Sequence, residues 1–405
     1  MKIFETLTSK NILMPFAAIY GVGLAPLLVL PYLFSAYITS FAISESAAGL
    51  LVTYNLTAMC LAAFAVAPVV HRLPRRPLVL LGTALAVLGN IGVVMVNDSA
   101  SVILPLLLSG IGYGVVLAVG NAVVAGYEDP EKTFDRVVLL GTVLFIALLV
   151  LTPQFASRFA LDGVMLVLIV LHLLCLPWLM ATPEQRDLVG EGASTCTPQA
   201  GKRSYLFLLT PLSLAVLAMV LFYFIRDTMI WMYAERIGVH RLGFEPGGLG
   251  LIFGVHGATS LLGPLLLIWA GRRFGRSALL MFGILASGGV TLAVSQTDSQ
   301  WLYGGLVIAW STLHFFTYSC LMGVASVADK QGRVVAAAGG AVMAANGIAP
   351  VVAGYSVEWG GYAGLGAGLV LFVGLTLISA LYVIYRVGKA AEDAQGEASP
   401  QAGEA

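Results

Sequence analysis

The spacing of its apolar runs limits what this chain can fold into more than any other feature. Long stretches nearly free of charge recur at residues 12–38, 47–70, 77–96, 101–125, 137–156, 163–181, 206–234, 247–270, 277–295, 301–327, 334–356 and 361–386, separated by short charged breaks. About 20 apolar residues wound as a helix cross a hydrocarbon layer ~30 Å thick. Inside that layer the backbone has no water to bond to, so each run must close its own hydrogen bonds as a helix. Only 10% of the 405 residues are charged, against about 25% in a soluble globular protein. The sequence therefore predicts an all-α integral membrane protein with twelve transmembrane helices, whose first partner is the lipid bilayer.

The 21 basic and 21 acidic residues cancel, so net charge points to no nucleic-acid partner. Their distribution says more. With both termini in the cytoplasm, every Lys and Arg except Arg158, Arg226, Arg236 and Arg241 falls on the inner side. Basic residues concentrate in cytoplasmic loops and set orientation, which predicts cytoplasmic N and C termini. The first apolar run is too long for the core of a cleavable signal peptide. The four cysteines have neither metal nor redox spacing, and no glycine-rich nucleotide loop or nucleophile–base pair is apparent. No metal, cofactor or enzymatic activity is expected.

One long polar stretch, "TPEQRDLVGEGASTCTPQAGKRS" from Thr182 to Ser204, divides the spans six and six and reads as a linker. The expected organisation is a six-helix bundle over 1–181, a cytoplasmic linker over 182–204, a second six-helix bundle over 205–388 and an acidic, disordered cytoplasmic tail over 389–405. The halves echo each other. A shift of 201 residues lays "HRLPRRPLVLLG" (71–82) on "RRFGRSALLMFG" (272–283), matching Arg72 with Arg273, Arg75 with Arg276 and Gly82 with Gly283. Two parallel six-helix repeats are a transporter architecture.

On these residues the chain resembles the major facilitator superfamily over essentially its whole length. That family's loop signature runs G-x-L-A-D-R-x-G-R-R-x-L, and "APVVHRLPRRPL" (67–78) keeps Arg72, Arg75, Arg76 and Leu78 but has His71 in place of the acid. The second copy keeps Arg273, Gly275 and Arg276 and has Arg272 at the acidic position. The resemblance implies a cytoplasmic gate at Arg72, Arg75, Arg76, Arg273 and Arg276. The missing acids remove the usual latch partner, with His71 a weak substitute when protonated; setting of topology is the alternative role for these arginines. "WMYAERIG" (231–238) is similar to a segment common in bacterial members, implying the bacterial inner membrane. Span 4 has Ser109 where many proton-coupled members carry an Arg, and span 5 lacks the G-x-x-x-G-P pattern of drug–proton antiporters.

Ionisable groups inside spans carry a desolvation penalty and mark function. Span 7 contains "FYFIRDTMIW", with Arg226 and Asp227 adjacent, and Asp227 is the one acid placed well inside a span. Adjacent helical residues project about 100° apart, so each charge is expected to find a separate partner. Either both lie deep, or span 7 ends near Phe224 and leaves them at the outer interface. His314 in span 10 shares a helical face with Trp310 and Tyr318, and His256 lies mid-depth in span 8 among small residues. His172, surrounded by leucines, reads as packing.

These residues suggest a monomeric secondary transporter of a small organic solute, working by alternating access with the proton as coupling ion. Candidates for the proton are Asp227, His314 and His256; those for the solute are Arg226, Tyr223, Trp231, Trp310, Tyr318, Asn55, Asn121, Asn346 and Tyr20. Arg226 would hold an anionic or zwitterionic metabolite during import, since a guanidinium recognises carboxylates in two-pronged fashion. The rival readings are proton-antiport export of amphipathic compounds on the aromatic stripe, and a transport-inactive sensor.

Overall fold

The computed structural model describes residues 10–127, 129–183, 209–328 and 333–398. The helices begin where the sequence supplies caps. The Ser44 hydroxyl accepts from the Ala47 N–H ahead of α-helix Glu45–Val66, and Thr210 accepts from the Ser213 N–H ahead of Pro211–Arg236, whose first residue is a proline. Proline at that position lacks an N–H that would have gone unpaired.

Labelled in chain order, α1 is Lys10–Phe16, followed by a π-helical segment Ala17–Gly23; α2 is Ala25–Leu28 and α3 Leu30–Phe41. Then come α4 (Glu45–Val66), α5 (Arg75–Met95), α6 (Ile103–Val124) and α7 (Pro130–Met180). The second half holds α8 (Pro211–Arg236), α9 (Pro246–Thr259), α10 (Leu262–Ala270), α11 (Arg276–Gln296), α12 (Gln300–Ala328) and α13 (Arg333–Ala398). No strand occurs among the described residues. Pro26 and Pro31 each stand at the start of a new piece of the first span, so the chain from α1 to α3 is one segmented crossing.

Nine helices among the described residues are long and apolar enough to cross a membrane. Two of them, of 49 and 51 residues, exceed the length of a single crossing. They break internally, at Ala160 (φ 47°) in α7 and at Gly360 and Gly361 (φ 58°) in α13. Counting each broken helix as two crossings and the segmented first span as one brings nine to twelve. Most of the linker lies outside the described residues. The last helix runs on to Ala398, past residue 389 where the acidic tail predicts disorder; Ala, Glu and Gln in "KAAEDAQGEA" are strong helix formers.

Small residues decide which helices touch. Within the first half, a side chain at Gly110 or Gly114 would run into the α4 backbone at Asn55 and Met59, and one at Gly112 into the α5 backbone at Gly82. Across the halves, Gly250, Gly254 and Gly257 on α9 receive Pro153, Val150 and Ile146 of α7. Gly354 on α13 lies against Glu45 and Ser46, and Gly49 on α4 against Pro350. Such close backbone approach is how helices associate where lipid offers no hydrophobic drive.

These seams gather at one end of the molecule, opposite the basic loops. There Arg236 pairs with Glu45 at 2.9 Å, and the Phe34 and Tyr233 rings meet edge to face at 4.8 Å. An apolar core runs continuously through both halves, from Phe34 and Leu149 to Trp310 and Ala349. A separate cluster, including Met219, Leu280, Phe316 and Leu321, belongs to the second half alone. Between the halves at the basic end lies a cavity of ≈ 570 Å³ lined by Tyr20, Phe64, Ala67, Val70, Asn121, Phe134 and Tyr318, among others.

The glycine packing is testable in purified protein. Gly114→Leu is expected to lower thermal stability by about 1–3 kcal/mol or to block folding, since overpacking strains its neighbours. Gly305→Leu, where nothing lies within 4 Å, should leave the unfolding temperature unchanged. Equal effects at both positions would contradict the packing described.

Candidate functional site

α8 does not end near Phe224; it continues to Arg236 and carries Arg226 and Asp227 inside the protein. Arg226 lies about 22 Å from the start of the helix and about 15 Å from its end, at 1.5 Å per residue. The residue is 1% exposed, so protein shields the guanidinium from solvent. A buried cation must find compensation, and Arg226 has four sources. Its guanidinium donates to the hydroxyls of Ser287 (3.2 Å) and Thr291 (3.4 Å) on α11, stands 4.5 Å over the Tyr223 ring, and contacts Asp227 Oδ1 at 3.2 Å.

That last contact corrects the expectation of separate partners. Their Cβ directions diverge, but the long arginine side chain bends back across the gap to reach its neighbour. The other half of the expectation holds alongside it, because Asp227 also has partners on α12. Trp310 Nε1 donates to Oδ1 at 2.8 Å, and His314 Nδ1 lies 2.9 Å from Oδ2. The Tyr223 hydroxyl donates to the His314 carbonyl at 3.1 Å and stands 3.3 Å from Nδ1. Three N–H groups from two helices thus converge on one carboxylate.

Asp227 and His314 face a cavity of ≈ 280 Å³ between the halves. The first half contributes Tyr20, Leu27, Leu28, Gly141, Thr142 and Phe145; the second contributes Phe224, Thr228, Trp231, His256, Trp310 and Asn346. Trp231 stacks on the His256 ring at 5.3 Å and meets Trp310 at 5.9 Å. His256 Nδ1 contacts the Val307 carbonyl at 2.7 Å, which makes Nδ1 the donor. Asn346 Oδ1 accepts from the Thr228 hydroxyl at 2.7 Å. Tyr20 lines this cavity and the larger one at the basic end, so the two adjoin.

Seven of the residues singled out from sequence therefore surround one cavity: Asp227, His314, His256, Trp231, Trp310, Asn346 and Tyr20. Asn121 and Tyr318 line the larger one. Arg226 and Tyr223 stand behind the wall. Asn55 lies elsewhere, donating to Leu106 O (2.8 Å) and Ser109 Oγ (2.9 Å) and so tying α4 to α6. Of the basic loops, Arg72, Arg76, Arg273 and Arg276 are exposed while Arg75 is buried, and Arg72 Nε donates to His71 Nε2 at 3.1 Å. His172 is buried against the Tyr113 ring at 5.6 Å, as packing requires. Ser287, Thr291 and the Glu45–Arg236 pair were missed. Two hydroxyls at i and i+4 in the apolar α11 are the signal that would have found the first two.

The family described as Major Facilitator Superfamily matches residues 12–329. No curated protein matches the sequence. Among solved structures, the chain is similar to a bacterial homologue of the human lysosomal transporter Spinster in an inward-facing, unoccupied conformation, at 15% identity and TM-score 0.74, covering 95% of this chain and 98% of that one. It is similar to the nucleoside transporter NupG at 14% identity and TM-score 0.71, covering 94% and 98%. A D-xylose–proton symporter aligns at 17% identity and TM-score 0.69, covering 94% and 97%. At these identities the likeness concerns the fold.

The Arg226–Asp227 pair predicts strong coupling. Arg226→Met strands a buried carboxylate and should cost about 3–5 kcal/mol. Adding Asp227→Asn to that variant should recover part of the loss, as thermal unfolding across the double-mutant cycle would read. Simple additivity of the two substitutions would contradict the pairing.

Proposed function

The chain belongs to the major facilitator superfamily, and on that premise we propose that it is a proton-coupled secondary transporter moving a small organic solute by alternating access. The observation that carries the proposal is the His314–Asp227 contact of 2.9 Å on the wall of a cavity shared by both halves. An ionised carboxylate only accepts hydrogen bonds, so His314 Nδ1 donates to it and Nε2 is left to take up a proton. An imidazole with one ring nitrogen free can act as a proton relay. Asp227 holds the ring in that tautomer, and Arg226 holds Asp227.

Alternating access needs one end sealed while the other is open. The glycine seams and the Glu45–Arg236 pair seal the end opposite the basic loops. The excess of Lys and Arg in these loops supports placing the basic end on the cytoplasmic side, and on that reading the cavity faces inward.

Arg226 is engaged by Asp227 behind the wall, and no lining residue of the smaller cavity is Lys or Arg. Of the anionic or zwitterionic metabolite read from sequence, that arrangement favours the zwitterion, a solute without net negative charge. Trp231, Trp310, Phe145 and Phe224 offer faces for a ring, and Asn346 with Thr228 offers a polar edge. The same aromatic wall favours a second reading, export of amphipathic compounds by proton antiport.

The test is flux in liposomes holding the purified protein, after a thermal-shift screen of ring-bearing metabolites has supplied a solute. A pH gradient should drive accumulation by wild type, inward for symport or outward for antiport. His314→Gln should lose about tenfold or more of the gradient-driven flux, the scale of general proton-transfer effects, while still exchanging labelled for unlabelled solute. Wild-type flux indifferent to the gradient would overturn the proposal, as would undiminished coupling in the variant.

A further inference from the structure

The second copy of the repeated basic loop has no role in the transport cavity, and its surroundings are distinctive. Beside it, α10, α11 and α12 enclose a groove of ≈ 500 Å³, lined by Leu266, Trp269, Phe274, Leu279, Phe282 and Phe316, among others. Leu266, Trp269, Phe274 and Phe282 are each about half exposed, so the groove opens outward, away from the cavity between the halves. At its rim stand Arg272, Arg273 and Arg276, all exposed. The Arg273 guanidinium lies 4.6 Å over the Trp269 ring. No acid occurs between Pro246 and Thr297 in sequence, and among the described residues none of the three arginines forms an ion pair. In the first copy, by contrast, Arg72 is bonded to His71 and Arg75 is buried.

Two chemistries therefore meet within one short distance: a concave apolar channel and three exposed guanidiniums at its mouth. Any ligand filling both must join a long hydrocarbon to a negative group at one end. Arginine grips phosphate oxygens in two-pronged fashion, and tryptophan at the membrane–water boundary marks the depth of headgroups. We propose that this groove binds an anionic phospholipid of the leaflet facing the basic loops, with an acyl chain along Phe282 and Phe316 and its phosphate at the three arginines. A zwitterionic lipid fits less well, because its ammonium would meet three like charges. Arg272 stands at the position that would hold an acid in the family's signature, and so adds a third positive charge to the rim.

Native mass spectrometry of the full chain in detergent tests this, titrating phosphatidylglycerol against phosphatidylcholine of the same chain length. Wild type should retain phosphatidylglycerol preferentially and gain thermal stability from it. The Arg272→Gln/Arg276→Gln variant should lose about tenfold or more of that preference, from the removal of two charges near an anionic headgroup. Ala278→Trp, which fills the groove, should lose the retained lipid while keeping the rim. Arg386→Gln, a basic residue on α13, should behave as wild type. Equal retention of both lipids by wild type would overturn the proposal, as would an unchanged preference in the double arginine variant. Equal competition by soluble glycerol phosphate would also overturn it, since the rim would then be a site for free phosphate.

Discussion

A guanidinium buried in the middle of a membrane-spanning helix governs the rest of the site. Arg226 cannot shed its proton and cannot reach water at 1% exposure, so its surroundings must supply the charge and the hydrogen bonds. They do so from three directions: Asp227 on its own helix, Ser287 and Thr291 on α11, and the face of the Tyr223 ring. Satisfying Arg226 places Asp227 at the boundary between the helix interior and the cavity. Asp227 in turn draws Trp310 and His314 of α12 to that boundary. The chain of contacts runs from a buried charge to an imidazole on the cavity wall, across three helices of one half.

The two halves contribute unequal chemistry. In the smaller cavity the carboxylate and imidazole lining residues, Asp227, His256 and His314, all come from the second half; the first half supplies Tyr20, Leu27, Leu28, Phe145 and Thr142. Where the halves meet at the sealed end, the described residues do so through glycine seams, the Phe34–Tyr233 ring contact and an ion pair between partly buried partners. Seams of this kind are held by close packing rather than by polar bonds. Separating them breaks the Glu45–Arg236 pair and the Trp231 Nε1 donation to the Leu27 carbonyl.

The spans were legible because the hydrocarbon layer sets their length, and the repeat because loops at the same depth keep the same basic residues. The aromatic and imidazole stripe of α12 was legible too, since i and i+4 residues share a face and a polar stripe in an apolar helix needs an interior to look into. What helical projection alone could not give was the reach of a side chain: the 100° between Arg226 and Asp227 is spanned by a flexible four-bond arm. Asn55 failed as a cavity residue for a related reason. A polar group in a span must be satisfied, and a carbonyl or hydroxyl on the next helix satisfies it as well as a solute would; only the packing of α4 on α6 distinguishes the two. Glu45 and Arg236 were 191 positions apart by their numbers, and nothing local links them.

Arg226 also shows why a charge in a membrane helix should be assigned by its neighbours before its ligand. From sequence it is the obvious anchor for an anion. With its charge met by Asp227, the group it serves is the carboxylate, and through that the tautomer of His314. Adding a proton to His314 then changes the net charge of the wall facing the solute, because Arg226 and Asp227 already cancel. A fixed, neutral pair beside the imidazole lets one added proton alter the cavity's charge without requiring a second buried charge to be created or lost, and the ring sits on the half that bears every carboxylate and imidazole lining the cavity. On the proposed coupling of proton to solute, the solute has only to distinguish a neutral wall from a positive one.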